Sequence, residues 1–326
     1  MKIYFAPMEG ITGYVYRNAH HQYFDHVDQY YTPFITPNQT KKLTSRELND
    51  VMLEHNREMP VVPQILTNKA EDFVWAAGKL KEFGYREVNL NLGCPSGTVV
   101  SKKRGSGFLA WPVALDRFLS EVSLGLGQAG MKLSVKTRIG KDDPEEFEEL
   151  LKIFNRYPME MLIIHPRIQT DFYKNHPNME VFRMAVKESV NPVCYNGDLF
   201  SIQDVEEFKR QFPTVEALML GRGILTNPAL PSMLCGDGTA PAPVLDKQRL
   251  KAFHDAVLLG YCQAIQGDKN VLFKMKELWF YLSDAFEDSK KPVKRIKKSQ
   301  CMEDYRAGVD SLFASCGLAE PPVFHG

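Results

Sequence analysis

Short apolar runs return at steady intervals through the first two thirds of the chain, at residues 3–7, 27–32, 61–66, 87–92, 132–138, 161–165, 192–195 and 217–220. Each has the length of a buried strand. The stretches between them can hold helices. In 68–84, Phe73, Ala76, Ala77, Leu80 and Phe83 form an apolar stripe at helical spacing, and in 143–158 Phe147, Leu150, Leu151 and Phe154 do the same. Asp143-Pro144 followed by Glu145 and Glu146 is a favourable helix start, with acids near the positive end of the dipole. Eight strands with intervening helices predict an α/β fold, an eight-stranded β/α (TIM) barrel. The competing arrangement is a doubly wound sheet, whose nucleotide-binding form carries a Gly-rich turn after its first strand. The stretch APMEGITG has glycines, but not at that spacing.

Beyond residue 236 the texture changes. Residues 237–244 fall in a Gly-, Pro- and Ala-rich stretch that reads as a linker. Leu272, Met275, Trp279, Leu282 and Phe286 then step by three and four along one helical face, and 302–313 predicts another helix. The division predicted is a barrel over 1–236, a linker over 237–244 and a small helical domain over 245–326.

Charge and cysteine content narrow the classes. The 326 residues carry a formal net charge of zero, so the total does not point to a strongly basic nucleic-acid binder, although a local patch is compatible with it. No run reaches the ~18 apolar residues of a membrane span. The start MKIYFAPMEG lacks a signal peptide's long apolar stretch and reads as a first buried strand, which makes a cytoplasmic location the expectation. The six cysteines form no CxxC pair, and neither they nor the eight histidines show metal-ligand spacing, so no metal is expected. Cys94 stands apart. It lies in the tight bend NLGCPSG that follows the fourth run.

In a barrel, chemistry gathers at the C-terminal ends of the strands. Here those ends carry Ala6-Pro7-Met8, Gln64, Asn91 with Cys94, Lys136 with Arg138, His165, Asn196-Gly197-Asp198 and Gly221-Arg222-Gly223. Lys136 sits inside a strand of buried type. Either its stem snorkels to the rim, or it is a fixed cation facing an electron-rich ligand atom. The NGD and LGRG segments, at the ends of strands 7 and 8, offer backbone N–H groups with little bulk, where such barrels bind phosphate, and Arg222 can add a bidentate contact.

Taken in order, APMEGITGYVYR, NLNLGCPSGTVVSKKRGSGFL, VKTRIG, IIHPR, YNGD and LGRGILTNP resemble the tRNA-dihydrouridine synthase family from residue 4 to about 230. The resemblance implies an FMN enzyme on an eight-stranded barrel with a helical C-terminal domain. Such an enzyme reduces the C5–C6 bond of selected tRNA uridines, with NADPH as the usual reductant. It places Pro7 and Met8 by the flavin ring, Gln64, Lys136 and His165 at its polar edge, and Asn196, Asp198, Gly221 and Arg222 at the ribityl chain and phosphate. Asn91, with Arg138 nearby, falls toward the uracil, and Cys94 matches the acid that protonates C5. An ordinary thiol, with a pKa of about 8.5, is mostly protonated near neutrality and so able to donate. Two departures stand out: HPRIQT replaces the usual Gly-Arg-Thr continuation, and Thr137 replaces a larger apolar residue.

Polyanion binding has one candidate outside the barrel. The segment KKPVKRIKK, 290–298, includes Lys294, Arg295, Lys297 and Lys298 and is interrupted by no acid. It reads either as a solvated charge run or as a phosphate-contacting surface for tRNA, continued by Lys102, Lys103 and Arg104 after the Cys94 bend. The nearest rival function is an FMN barrel acting on a free pyrimidine, dihydroorotate or uracil. It would share the phosphate loops and the strand-borne lysine but would not need the basic segment.

Overall fold

The computed structural model describes residues 1–325 apart from residue 57 and 236–243. The apolar runs become strands β1 (Lys2–Phe5), β2 (Gln29–Tyr31), β3 (Val61–Val62), β4 (Gln64–Ile65), β5 (Glu87–Leu92), β6 (Lys132–Gly140), β7 (Met161–Ile168), β8 (Val193–Tyr195) and β9 (Ala217–Leu220). Their order is β3-β2-β1-β9-β8-β7-β6-β5-β4, with parallel pairing from β1 through β3 and from β4 through β9. The Lys2 N–H donates to the Glu216 carbonyl at 2.7 Å, beside the β1–β9 junction.

Among the described residues the eight runs thus give nine strand segments, and the reason is Pro63. It has no N–H for the ladder, so the third run splits there. Its carbonyl still accepts from the Asn89 N–H at 2.9 Å. Because β3 and β4 lie at opposite ends of the strand order, the chain through Pro63 brings the sheet round on itself as a barrel.

Period two sorts the strand residues by face. Tyr4, Ala6, Tyr31, Val62, Ile163, Cys194, Ala217 and Met219 pack as one buried cluster. On β7 the face of Ile163 continues as His165 and Arg167, and on β6 Ser134, Lys136 and Arg138 share a face. The intervening residues, among them Val88, Leu90, Val135, Leu162 and Ile164, are buried on the other side. There the helices Ala70–Glu82 and Pro112–Ala129 lie against each other, Phe73 meeting Phe118 edge to face at 6.0 Å.

The chain groups into two compact units. One comprises Met1–Pro7, Asp28–Gly197 and Phe212–Met219, and the other Met8–Val27, Asp198–Gln211 and Leu220–Gly326. The second unit is built from the helices Tyr14–Tyr23, Ile202–Gln211, Lys247–Ala264, Asp268–Leu278, Lys290–Lys298 and Met302–Ser315, with shorter ones at Arg222–Thr226 and Leu230–Leu234. The predicted stripe from Leu272 to Phe286 is buried throughout, but the α-helix carrying it ends at Leu278 and a 3₁₀ turn, Leu282–Ala285, takes over. Trp279, fully buried, donates its Nε1–H to the Tyr305 hydroxyl at 2.9 Å, and that hydroxyl lies 2.8 Å from His254 Nε2. An indole N–H only donates, so the hydroxyl is left to donate to His254 Nε2. Burial lowers the His254 pKa, which keeps the ring neutral as that arrangement requires. The predicted linker, 237–244, lies outside the described residues except for the exposed Val244. Among the described residues no helix is long and apolar enough to cross a membrane, and no group of three or more His, Cys, Asp or Glu could hold a metal.

Candidate functional site

Strand register brings the polar side chains of the barrel together. Gln64 pairs with Asn89, Asn89 with Ser134 and Asn91 with Lys136. The side chains then bond in series. Asn89 Nδ2 donates to Ser134 Oγ at 3.0 Å, Gln64 Nε2 to Asn89 Oδ1 at 2.8 Å, and Asn91 Nδ2 to Gln64 Oε1 at 2.7 Å. The Asn91 amide therefore points its Oδ1 at the following bend, where it accepts from the Gly93 and Cys94 N–H groups, both at 3.0 Å. The Cys94 carbonyl accepts from the Ser106 N–H at 3.1 Å and from its hydroxyl at 2.8 Å. Gly105, with φ +55°, passes so close that a Cβ there would sit 2.8 Å from the Cys94 carbonyl oxygen, and one on Gly107 would meet the Val100 main chain at 2.8 Å. The Cys94 bend is thus fixed through its backbone, and its side chain is partly exposed.

Arg138 clamps the same bend from β6. It is almost fully buried and donates to the carbonyls of Gly93 at 3.1 Å, Ile168 at 2.7 Å and Phe172 at 2.6 Å. Next to it in register is His165, whose Nε2 lies 3.0 Å from Arg167 Nη1. A guanidinium only donates, so Nε2 accepts and the neutral ring carries its proton on Nδ1. Arg167, the arginine of the HPRIQT stretch, thus holds one edge of the His165 ring, which also lies 6.0 Å from the Tyr173 ring centroid. Thr137 turns its hydroxyl to the Arg138 carbonyl at 2.7 Å, which a larger apolar residue could not do.

Lys136 is partly exposed and, among the described residues, has neither a hydrogen bond nor an ion pair. Burial lowers its pKa to about 8, the Arg138 charge adds to the shift, and the Cys194 and Cys94 thiols oppose it. An unpartnered amine in this setting fits the electron-rich edge of a flavin. The shift also carries a stability consequence. The unfolded chain releases this proton near pH 10.5 and the folded one near pH 8, so between those values the unfolded state binds more protons and stability rises with pH. Melting temperatures of the protein across that window should climb, and Lys136→Met should remove the climb. Parallel curves for the two proteins would dissociate the lysine from it.

The remaining predicted residues lie elsewhere in the two units. Pro7 and Asn196 belong to the barrel unit, where Asn196 Nδ2 donates to the Met219 carbonyl at 2.7 Å. Met8, Asp198, Gly221 and Arg222 belong to the other. Met8 lies in a turn in which its N–H donates to Thr12 Oγ1 at 2.8 Å. Arg222 Nη2 donates to Asp198 Oδ1 at 2.5 Å, both partly buried, and the Gly221 carbonyl accepts the first bonds of the short helix Arg222–Thr226. The basic segment is itself a helix, Lys290–Lys298, seated by buried Val293 and Ile296. Lys290, Lys291, Lys294, Arg295, Lys297 and Lys298 are all exposed, and none has an acidic partner among the described residues. Lys297 lies 6.0 Å from the Phe280 ring centroid. Asn89, Ser134 and Ser106 are not marked as site residues by the sequence motifs, although the parity of Asn89 with Asn91, and of Ser134 with Lys136, marks two of them.

Residues 4–300 match the family model described as Dihydrouridine synthase (Dus). The probable tRNA-dihydrouridine synthase 2 of Bacillus subtilis is 28% identical over 229 residues, spanning 68% of this chain and 69% of its own. A probable tRNA-dihydrouridine synthase of Staphylococcus epidermidis is 27% identical over 229 residues, 68% of each chain. Among solved structures, a 2-naphthoyl-CoA reductase complexed with 2-naphthoyl-CoA superposes with a TM-score of 0.54 at 10% identity, over 72% of this chain and 50% of that one. That likeness is one of fold.

Proposed function

Since the chain belongs to the dihydrouridine synthase family, and is an FMN-dependent oxidoreductase that forms dihydrouridine in tRNA, we propose the residues and the electron source by which it does so. When bound, FMN would supply hydride chemistry toward C6 of the uracil, with NADPH as the source of the electrons. Gln64, Lys136 and His165 hold the polar edge of the flavin, with Pro7 and Met8 by the ring. Asn196, Asp198, Gly221 and Arg222 take the ribityl chain and phosphate. The Cys94 thiol gives its proton to C5, so the uracil gains one hydride and one proton and NADPH loses two electrons. Protonated Lys136 would present a fixed positive charge to the polar edge of the cofactor. Asn91 orients the bend that presents Cys94, and Arg138 keeps that bend against the barrel on the uracil side.

The observation that carries this reading is the Cys94 bend, pinned by Asn91, Ser106 and Arg138 in the same unit as an unpartnered Lys136. A uridine within folded RNA must be flipped out to reach such a site, at a cost of a few kcal/mol that binding elsewhere on the RNA offsets. The exposed basic helix Lys290–Lys298 is suited to that binding, and a free pyrimidine would need none of it.

Purified protein should show an oxidised flavin spectrum. With NADPH it should convert uridines of an unmodified tRNA transcript to dihydrouridine, detected by mass after nuclease digestion. Turnover of free uracil or dihydroorotate with no change in tRNA would overturn the reading in favour of the free-pyrimidine barrel.

A further inference from the structure

We propose that the C-terminal segment completes the phosphate end of the cofactor site, with Phe324 as a positioning residue for Arg222. The guanidinium carbon of Arg222 lies 5.2 Å from the Phe200 ring centroid and 5.4 Å from that of Phe324. The two rings are 5.8 Å apart and tilted by 39°. Phe324 is nearly buried at 7% exposure, stacked on Tyr281 at 5.5 Å and set edgewise to Phe280 at 5.8 Å. On one side of it the tail is fastened to the segment around Phe286: Phe286 pairs antiparallel with Leu318, and the Ala319 N–H donates to the Ala285 carbonyl at 3.0 Å. On the other side the His325 N–H donates to Asp284 Oδ2 at 2.8 Å. The ring is therefore held from both directions, although it lies 102 positions beyond the arginine it touches.

The chemistry follows from the shape of the guanidinium. Its donors lie in the plane, at the edges, while its faces are weakly hydrated and stack on aromatic rings. Asp198 takes one edge through Nη2. An ion pair alone leaves the group free to swing about the carboxylate. The Phe200 and Phe324 rings, 5.8 Å apart, form an aromatic wall along one side of the group; packing against it limits that swing, and with it the direction in which the other edge presents N–H groups to a phosphate. Phe324 does not touch the phosphate in this scheme; it fixes the group that does.

The inference rests on the assignment of Arg222 to the flavin phosphate, and one experiment separates the two. Flavin-free protein is titrated with FMN and with riboflavin, which differ only by the phosphate, and the ratio of the two dissociation constants is read from quenching of flavin fluorescence. Phe324→Ala should lower the preference for FMN by ~2- to 30-fold, the range expected of a single cation–π interaction, and leave riboflavin affinity unchanged. Phe324→Tyr should restore the preference, and Phe324→Leu, with similar bulk and no π face, should not. Equal weakening of both ligands, full rescue by Leu, or no change in Phe324→Ala would overturn the positioning role. Arg222→Ala should reduce the preference at least as far as Phe324→Ala. If Arg222→Ala leaves the ratio at the wild-type value, it is the phosphate assignment itself that fails.

Discussion

Cys94→Ala is expected to accept electrons from NADPH at the wild-type rate and to pass them to tRNA ~100- to 10,000-fold more slowly, the usual contribution of a general acid. The separation of the two half-reactions follows from the chemistry. Reducing the flavin needs no proton on uracil C5, whereas completing dihydrouridine does. The bend at residue 94 is held by main-chain bonds from Asn91 and Ser106 and by Arg138 through Gly93, none of which uses the thiol. Stopped-flow absorbance of the flavin reads both phases in one instrument, with NADPH driving the first and an unmodified transcript the second. Wild-type reoxidation by tRNA would end the acid role. So would a defect confined to the NADPH phase.

Replacing Lys294, Arg295, Lys297 and Lys298 together by Gln is expected to weaken tRNA binding by roughly 100- to 1,000-fold near 0.1 M salt. The slope of log affinity against log salt should flatten by about one for each phosphate no longer neutralised. These four side chains are exposed while Val293 and Ile296 are the buried residues of the helix, so the helix should keep its seat, and Gln is a good helix former. Flavin content and NADPH oxidation should stay at wild-type values, which distinguishes impaired RNA binding from impaired folding. Filter binding or anisotropy at four salt concentrations gives affinity and slope together. If both are unchanged, the helix is ordinary solvated surface.

The strand runs were legible because barrel strands are buried on both sides, which leaves compact apolar blocks between polar stretches. The sequence marks Pro63 inside the third run, but that the break joins the two ends of the strand order depends on the pairing of β3 with β2 and of β4 with β5. The helical stripe from Leu272 to Phe286 was real as a buried face, yet periodicity could not tell an α-helix from an α-helix followed by a 3₁₀ turn, since both keep a spacing of three to four. The basic run carried so much charge that its two apolar residues, Val293 and Ile296, were easily overlooked as a helical face.

Within the candidate site, the strand ends carry Gln64, Asn91, Cys94, Lys136, Arg138 and His165, and in a barrel those ends share one face. What supports them was less visible. Ser106 reaches the Cys94 carbonyl across 12 positions, Arg138 reaches Phe172 across 34, and Phe324 meets Arg222 only through the path of the tail. Interactions of that kind leave no periodic trace in a single sequence.

The close passage of Gly105 by the Cys94 carbonyl bears on how this enzyme can diversify. In a saturation library of residues 89–108, positions 105 and 107 should return glycine almost alone, since any Cβ there would drive into main chain rather than into a yielding side chain. Gly97 has open space around it and should accept small polar residues. Because the sulfur is located by the course of the backbone, neighbouring side chains can change in size and charge without displacing it. New substrate preferences can then be explored while the Cys94 thiol stays in place.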